Sequence, residues 1–111
     1  MAAHVIVEVT TTLESKEQAE HLSQQLVEKR LAACVQVSGP IPCTYPWHAK
    51  QCQSAEYRCQ MKTTEPGVQK LITQLEQLHP YDTPEILCHR AMAVNKAYGD
   101  WVAENVDVPK P

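Results

Sequence analysis

The chain has 111 residues, 43% of them hydrophobic and 21% charged, which is the composition of one globular domain with a single core. Its net charge of −3, with no basic run longer than two residues, argues against nucleic acid as a partner. No apolar stretch approaches the roughly 18 residues of a membrane-spanning helix, so no membrane partner is expected. We predict one domain over residues 1–111, with a core from about 4 to 105 and a tail at 106–111.

Five cysteines are distributed along the chain without a C-x-x-C pair, which argues against a zinc ribbon. Their number is odd and the first residues lack the pattern of a signal peptide. We therefore interpret them as free thiols in a reducing, cytoplasmic environment. Cys34 is expected to pack as a small hydrophobic residue. Cys43 and Cys52 flank a predicted hairpin tip, where their thiols would be the most accessible to soft metal ions or oxidants.

The first predicted elements are a strand and a helix. Valines at positions 5, 7 and 9 give the period-two pattern of a strand with one apolar face. Ser15 to Gln18 form a capping-box sequence, in which the serine hydroxyl binds the first helical turn and Gln18 reaches back. Apolar residues then recur at helical spacing and Lys29 and Arg30 suit a helix C-terminus, so the first helix is predicted at 15–30.

Two long strands are predicted next. The second strand covers residues 31–37, is interrupted by a glycine and two prolines at 39–42, and resumes its extended course at 41–47. The turn is predicted at 48–51, although no Gly or Asn is there to adopt positive φ. The third strand is predicted at 54–63, with apolar side chains on one face and polar ones on the other.

A second amphipathic helix is predicted to start at Thr64-Glu65-Pro66. The segment from His79 to Glu85, HPYDTPE, ends it, because each proline disfavours helical geometry in the residue before it. A fourth strand is predicted at 85–92, and Asn95 caps a short last helix. The order β-α-β-β-α-β plus a C-terminal helix predicts an α+β, ferredoxin-like antiparallel sandwich.

One face of such a sheet carries the helices, and the opposite face is predicted to be polar. That face should hold Glu8, Thr10, Arg58 and Gln60, with either residues 85, 87 and 89 or residues 86, 88 and 90 of the fourth strand. A solvated surface and a subunit interface both fit this pattern. The long second and third strands favour the interface, in which Arg58 would neutralise Glu8.

Six short blocks of the sequence together resemble the CutA family of divalent-cation tolerance proteins. They are Leu31-Ala32-Ala33-Cys34, Tyr45-x-Trp47, Glu56, Lys62-Thr63, His79-Pro80-Tyr81-x-x-Pro84-Glu85 and Tyr98-x-x-Trp101. The resemblance spans about residues 5–104 and implies a ferredoxin-like protomer in a compact, PII-like homotrimer, with arms that pair across subunits. It also implies a role in the tolerance of copper and other divalent cations, with no established enzymatic activity.

The resemblance points to His79 as a candidate metal ligand. Copper-binding bacterial members of the family use a cysteine at the end of strand one and two adjacent histidines, and these positions here hold Thr11, Leu78 and His79. One imidazole rarely holds a divalent cation such as Cu²⁺ alone, so further ligands would have to come from elsewhere. The alternative is a structural role, in which the ring of His79 forms hydrogen bonds at the helix end.

A cleft between subunits is the second candidate site that the resemblance implies. Its expected lining is Tyr45, Trp47, Glu56, Lys62, Tyr81 and Glu85. The aromatic residues serve equally well as packing anchors where arms meet neighbouring subunits, and packing is the favoured role for Trp101. The family commonly has glycine at the hairpin tip, where this chain has Ala49.

Catalysis is not indicated. The sequence has no glycine-rich phosphate loop and no nucleophile elbow, and Asp82 with Glu85 is too generic a pair to suggest acid–base chemistry. Three functions stay open. They are a response to divalent metal ions by weak binding or signalling, a PII-like sensor of a small anionic metabolite, and an interaction scaffold without a ligand.

Overall fold

The computed structural model describes residues 3–107 and has the predicted order of elements. The elements are β1 (Ile6–Leu13), α1 (Lys16–Glu28), β2 (Cys34–Trp47), β3 (Lys50–Thr64), α2 (Val68–Leu78), β4 (Leu87–Arg90) and α3 (Lys96–Glu104). A single 3₁₀ turn, Glu65–Gly67, leads into α2. The α+β, ferredoxin-like fold with a C-terminal helix is therefore confirmed.

The four strands form one antiparallel sheet in the order β2-β3-β1-β4. The main core lies between one face of this sheet and the helices α1 and α2. Its fully buried residues include Val9, Leu13, Leu26, Met61, Leu71 and Leu75. The period-two pattern of β1 and the helical stripe of α2 meet here, because each element has only one apolar face to bury.

Only some of the capping contacts predicted at the helix ends are formed. The Ser15 hydroxyl accepts a hydrogen bond from the Gln18 backbone N–H at 3.1 Å, as predicted. The reverse contact expected of Gln18 is absent, since its buried side-chain oxygen has no partner in the part of the chain that the structure describes. Thr64 makes no side-chain cap, and the 3₁₀ turn takes the place of a first α-helical turn. Helix α2 ends at His79, whose φ of −72° and ψ of 135° are extended.

The helix α3 packs on the opposite face of the sheet, near one end of it. Ile6, Ala33, Val102 and Val106 form a second buried cluster there. Val106 and Asp107 thus differ from the predicted tail, because Val106 is buried and Asp107 pairs with Arg30 at 2.8 Å. Residues 108–111 of that predicted tail lie outside the described part of the chain.

The β2–β3 hairpin extends well beyond the rest of the sheet. Strand β1 pairs with β3 only from Tyr57 to Thr64, so residues 41–47 and 50–56 form a two-stranded arm. The molecule is accordingly elongated, with extents of 51 × 25 × 23 Å. The third strand begins at Lys50 and not at residue 54, because the turn consists of only two residues. These are His48 and Ala49, with φ values of 51° and 63°.

A change of register at the base of the arm separates it from the body of β2. The pairing with β3 shifts between Ser38 and Ile41, which reverses the face on which β2 side chains point. Gly39 has φ of 147°, and a Cβ there would come within 2.8 Å of the Glu56 carbonyl oxygen. A glycine is needed at this position for both reasons.

The register of β4 decides which of its residues share the face opposite α1 and α2. Leu87 lies opposite Thr10 and His89 lies opposite Glu8, while Ile86 packs against the main core. We call the surface formed by Glu8, Thr10, Arg58, Gln60, Leu87 and His89 the open face. Strand β4 is shorter than predicted, covering four residues within the expected 85–92.

Candidate functional site

A cleft of about 520 Å³ lies where the arm leaves the sheet, on the open-face side. The end of β1, the arm strands and the segment after α2 contribute its walls. It is lined by Thr12, Cys43, Thr44, Tyr45, Trp47, Glu56, Arg58, Tyr81, Asp82, Thr83 and Glu85. Its volume is in the range that holds small organic ligands.

The Tyr81–Glu56 contact joins two walls of this cleft. The Tyr81 hydroxyl donates a hydrogen bond of 2.9 Å to the carboxylate of Glu56, a residue that is only 9% exposed. Burial, and then the neighbouring Glu56 carboxylate, raise the pKa of Tyr81, so the phenol stays protonated as a donor. This hydrogen bond fixes the orientation of both side chains in the cleft.

His79 stands behind Tyr81 and is buried. Its Nε2–H donates to the Thr12 carbonyl at 3.0 Å, and its Nδ1 accepts the Tyr81 backbone N–H at 3.2 Å. Burial lowers the pKa of His79, against the opposing effects of the Thr12 hydrogen bond and the Glu56 charge. The neutral ring therefore uses both nitrogens to join the end of α2 to the end of β1. A metal ion would have to displace one of these bonds.

The aromatic residues of the arm form the outer wall. The Tyr45 hydroxyl lies 3.2 Å from the Ser54 hydroxyl across the two strands. Trp47 is 50% exposed and meets the ring of His48 edge-on, with centroids 5.1 Å apart. Tyr45, at 37% exposed, and Trp47 therefore each leave a substantial aromatic surface uncovered in the protomer. Trp101, for which packing was favoured, is also 42% exposed and stacks on Tyr98 at 5.7 Å.

The structure brings together five of the six residues expected in the cleft. Tyr45, Trp47, Glu56, Tyr81 and Glu85 line it, whereas Lys62 does not. Lys62 is six residues from Glu56 along β3, roughly 20 Å away at the rise of a strand. Its ammonium group instead pairs with Glu8 at 3.1 Å and donates to Gln36 at 3.4 Å.

Further cleft residues were missing from that expected lining. Arg58 lies two residues after Glu56 in β3, so the strand period places both on one face and could have identified it. Asp82 belongs to the HPYDTPE segment and lines the cleft together with its neighbour Thr83. Cys43 also lines the cleft, with a partly buried thiol whose Sγ lies 3.4 Å from the Ile41 carbonyl oxygen.

The polar open face has a different ion pair from the one predicted. Glu8 accepts a hydrogen bond from Gln60 at 3.3 Å and pairs with Lys62, its direct cross-strand neighbour. Arg58 lies opposite Thr12 and is exposed, so the predicted Arg58–Glu8 pair is absent within the protomer. The Lys62 and Glu8 side chains are 18% and 35% exposed, and the pair is therefore only partly screened by water.

All five cysteines are free thiols. Cys34 is partly buried on the α3 side, and its Sγ lies 3.5 Å from the Tyr98 hydroxyl. Burial and this thiol raise the pKa of Tyr98 to about 12. Between residues 3 and 107, no three His, Cys, Asp or Glu side chains are grouped so that they could hold a metal ion. None of the helices in the same range has the length and hydropathy needed to cross a membrane.

The fold and cleft define a small α+β protein with a protruding two-stranded arm, and comparisons identify its family. The family model described as CutA1 divalent ion tolerance protein matches residues 7–105, so the chain belongs to this family. The divalent-cation tolerance protein CutA of Thermus thermophilus is 36% identical over 97 residues, covering 87% of this chain and 94% of the relative. The family is named for ion tolerance and not for a catalysed reaction.

Solved structures agree with this assignment. The structure of CutA from Synechococcus elongatus superposes with a TM-score of 0.90 at 31% identity, covering 96% of this chain and 95% of that one. A structure described as the periplasmic divalent cation tolerance protein CutA from Archaeoglobus fulgidus has a TM-score of 0.87 at 29% identity. The superposition covers 92% of this chain and 99% of the Archaeoglobus chain. The resemblance predicted from the short sequence blocks is therefore confirmed.

Proposed function

We propose that this protein acts in the response to divalent metal ions, copper among them, as a non-catalytic homotrimer that binds a ligand in the cleft at the base of the arm. The observation that carries the proposal is the Tyr81–Glu56 contact, which holds a buried carboxylate at the wall of an open cleft. A signalling role suits this arrangement better than metal storage, because the described residues offer no cluster of metal-binding side chains.

The shape of the protomer supports the homotrimer. Residues 41–47 and 50–56 of the arm pair with no third strand, and a two-stranded hairpin alone is marginally stable in water. Leu87 and Trp47 are each 50% exposed on or near the open face. A neighbouring subunit that covers Leu87 and packs along the arm, with Trp47 still lining the cleft, would stabilise the arm and complete the cleft.

A cytoplasmic location is part of the same proposal. Five free thiols, among them the exposed Cys88, suit a reducing compartment in which disulfides do not form. The Archaeoglobus relative is described as periplasmic, so location has to be measured for this chain. Fractionation of cells that express the protein, with probing of its thiols, tests this directly.

The second candidate function is a PII-like sensor of a small metabolite, and the cleft volume of about 520 Å³ favours it. Such a cavity is far larger than a single dehydrated metal ion needs. The two candidates are compatible if metal stress is reported through the ligand. A scaffold that binds no ligand has no comparable observation in its favour.

Calorimetric titration of the assembled protein with Cu²⁺, Cu⁺ and Zn²⁺ tests direct metal binding. We expect weak heats that Glu56→Gln reduces. His79→Ala should change stability more than metal affinity, since both ring nitrogens already have partners. The exposed Glu76→Gln on α2 is the matched control. If the heat of metal binding disappears only in His79→Ala, His79 is a metal ligand and the cleft is not the metal site.

A further inference from the structure

We propose that the cleft selects a small organic ammonium ion, and not an anionic metabolite. This inference rests on the proposed function of the cleft as a ligand site and names the class of ligand. The charges of the lining motivate it. Three carboxylates, those of Glu56, Asp82 and Glu85, face a single guanidinium, that of Arg58.

The buried Glu56 carboxylate is the anchor for the positive group. Its partner is the neutral hydroxyl of Tyr81, and no cation among residues 3–107 lies within ion-pair distance of it. A buried carboxylate with only a neutral donor is poorly compensated for the water it has lost. An organic ammonium group would supply the missing opposite charge beside this carboxylate, while Tyr81 keeps the carboxylate in place.

Aromatic rings supply the second half of the recognition. Tyr45, Trp47 and Tyr81 all line the cleft, and the arm holds Trp47 with half of its surface free. Ring faces attract alkylated ammonium ions through cation–π interactions, and tryptophan does so best. A hydrated inorganic cation gains much less from such walls, because its water shell separates it from the rings.

Arg58 argues against an anion as the preferred ligand. It is exposed, and it lies on the same strand face as Glu56, only two residues away. An anion bound to Arg58 would therefore sit among three carboxylates, which repel it. The small anionic metabolite expected from the likeness to PII proteins fits these charges less well than a cation does.

Tryptophan fluorescence of a Trp101→Phe variant measures ligand binding in the cleft, because Trp47 is then the single tryptophan. The probes are choline, its neutral isostere 3,3-dimethyl-1-butanol, and acetate. We expect saturable quenching by choline, with at least about tenfold weaker binding of the neutral isostere. Glu56→Gln removes the negative charge beside the trimethylammonium group and should weaken choline binding by about tenfold. Glu76→Gln, which removes a carboxylate outside the cleft, should leave it unchanged.

The other outcomes separate this inference from the proposed function. Equal binding of choline and its isostere, or acetate binding that Arg58→Gln abolishes, would overturn the ammonium ligand while the cleft remains a ligand site. If the Trp47 fluorescence responds to none of the three probes and changes only with protein concentration, a neighbouring subunit fills the cleft. That result would overturn both.

Discussion

The Tyr81 hydroxyl donates to the Glu56 carboxylate at 2.9 Å, and this bond links the segment after α2 to the base of the arm. The two residues are 25 positions apart in the chain, and Tyr81 also donates its backbone N–H to His79. The orientation of the arm relative to the sheet is thus connected to the end of α2 through two hydrogen bonds. Changes at either residue are expected to affect the cleft and the arm together.

Tyr81→Phe should destabilise the protein by about 1–3 kcal/mol, because it leaves the buried Glu56 carboxylate without its donor. Chemical denaturation of the wild type and the variant measures the difference. Tyr45→Phe is the matched control, since its hydroxyl bonds to Ser54 on an exposed surface and should cost less than about 0.5 kcal/mol. Equal effects of the two variants would mean that water replaces Tyr81 without loss.

Stability should rise with pH just below the pKa of an unperturbed histidine, about 6.5. Burial lowers the pKa of His79 in the folded state, so the unfolded chain binds more protons in the window between the two values. The contribution is complete above 6.5, decreases as pH falls to the folded pKa, and is constant below it. Denaturation midpoints measured across this range provide the test.

The matched variants for that pH dependence are His79→Gln and His21→Gln. His79→Gln should remove the slope that His79 contributes, and His21→Gln, on an exposed position of α1, should retain it. If the stability of His79→Gln depends on pH as steeply as that of the wild type, another group causes the pH dependence. In that case the buried, neutral ring described above would not be the source.

Ala49→Gly should raise the unfolding temperature, with a gain of up to about 1 kcal/mol, because Ala49 has φ of 63°. The greater freedom of glycine in the unfolded chain offsets part of this gain. Lys50→Gly is the control, since it places glycine at the first position of β3, where it should destabilise by about 0.5–1 kcal/mol. A lower melting temperature for Ala49→Gly would mean that the tip conformation is held by contacts outside the protomer.

Lys62→Ala should cost more stability than Arg58→Ala. Lys62 pairs with the partly buried Glu8. We expect Lys62→Ala to lower the free energy of unfolding by about 1–2 kcal/mol, between the values for exposed and for buried ion pairs. Arg58 has no ion pair among the described residues and should cost less than about 0.5 kcal/mol in the protomer. Denaturation curves of both variants give the order. The opposite order would indicate that Arg58 is buried between subunits, as the sequence had first suggested.

The periodicity of the chain predicted the elements well, since β1, α1 and α2 each bury one regular face. It could not predict the length of β3, because the turn uses His48 and Ala49 at positive φ without the usual glycine or asparagine. Pairing register is equally hidden from periodicity. Lys62 was assigned to the cleft from family likeness, although its cross-strand position opposite Glu8 places it at the other end of β3.

Leu87→Glu should dissociate the proposed homotrimer. Leu87 is 50% exposed in the protomer and lies on the open face opposite Thr10, so an added carboxylate there would oppose association of these faces. Sedimentation equilibrium should give three times the 12.5-kDa chain mass for the wild type and a lower mass for the variant. Val27→Glu adds the same charge to an exposed apolar position on α1 and should leave the mass unchanged. If Leu87→Glu retained the wild-type mass, the open face would lie outside the interface and the arm alone would have to hold the subunits together.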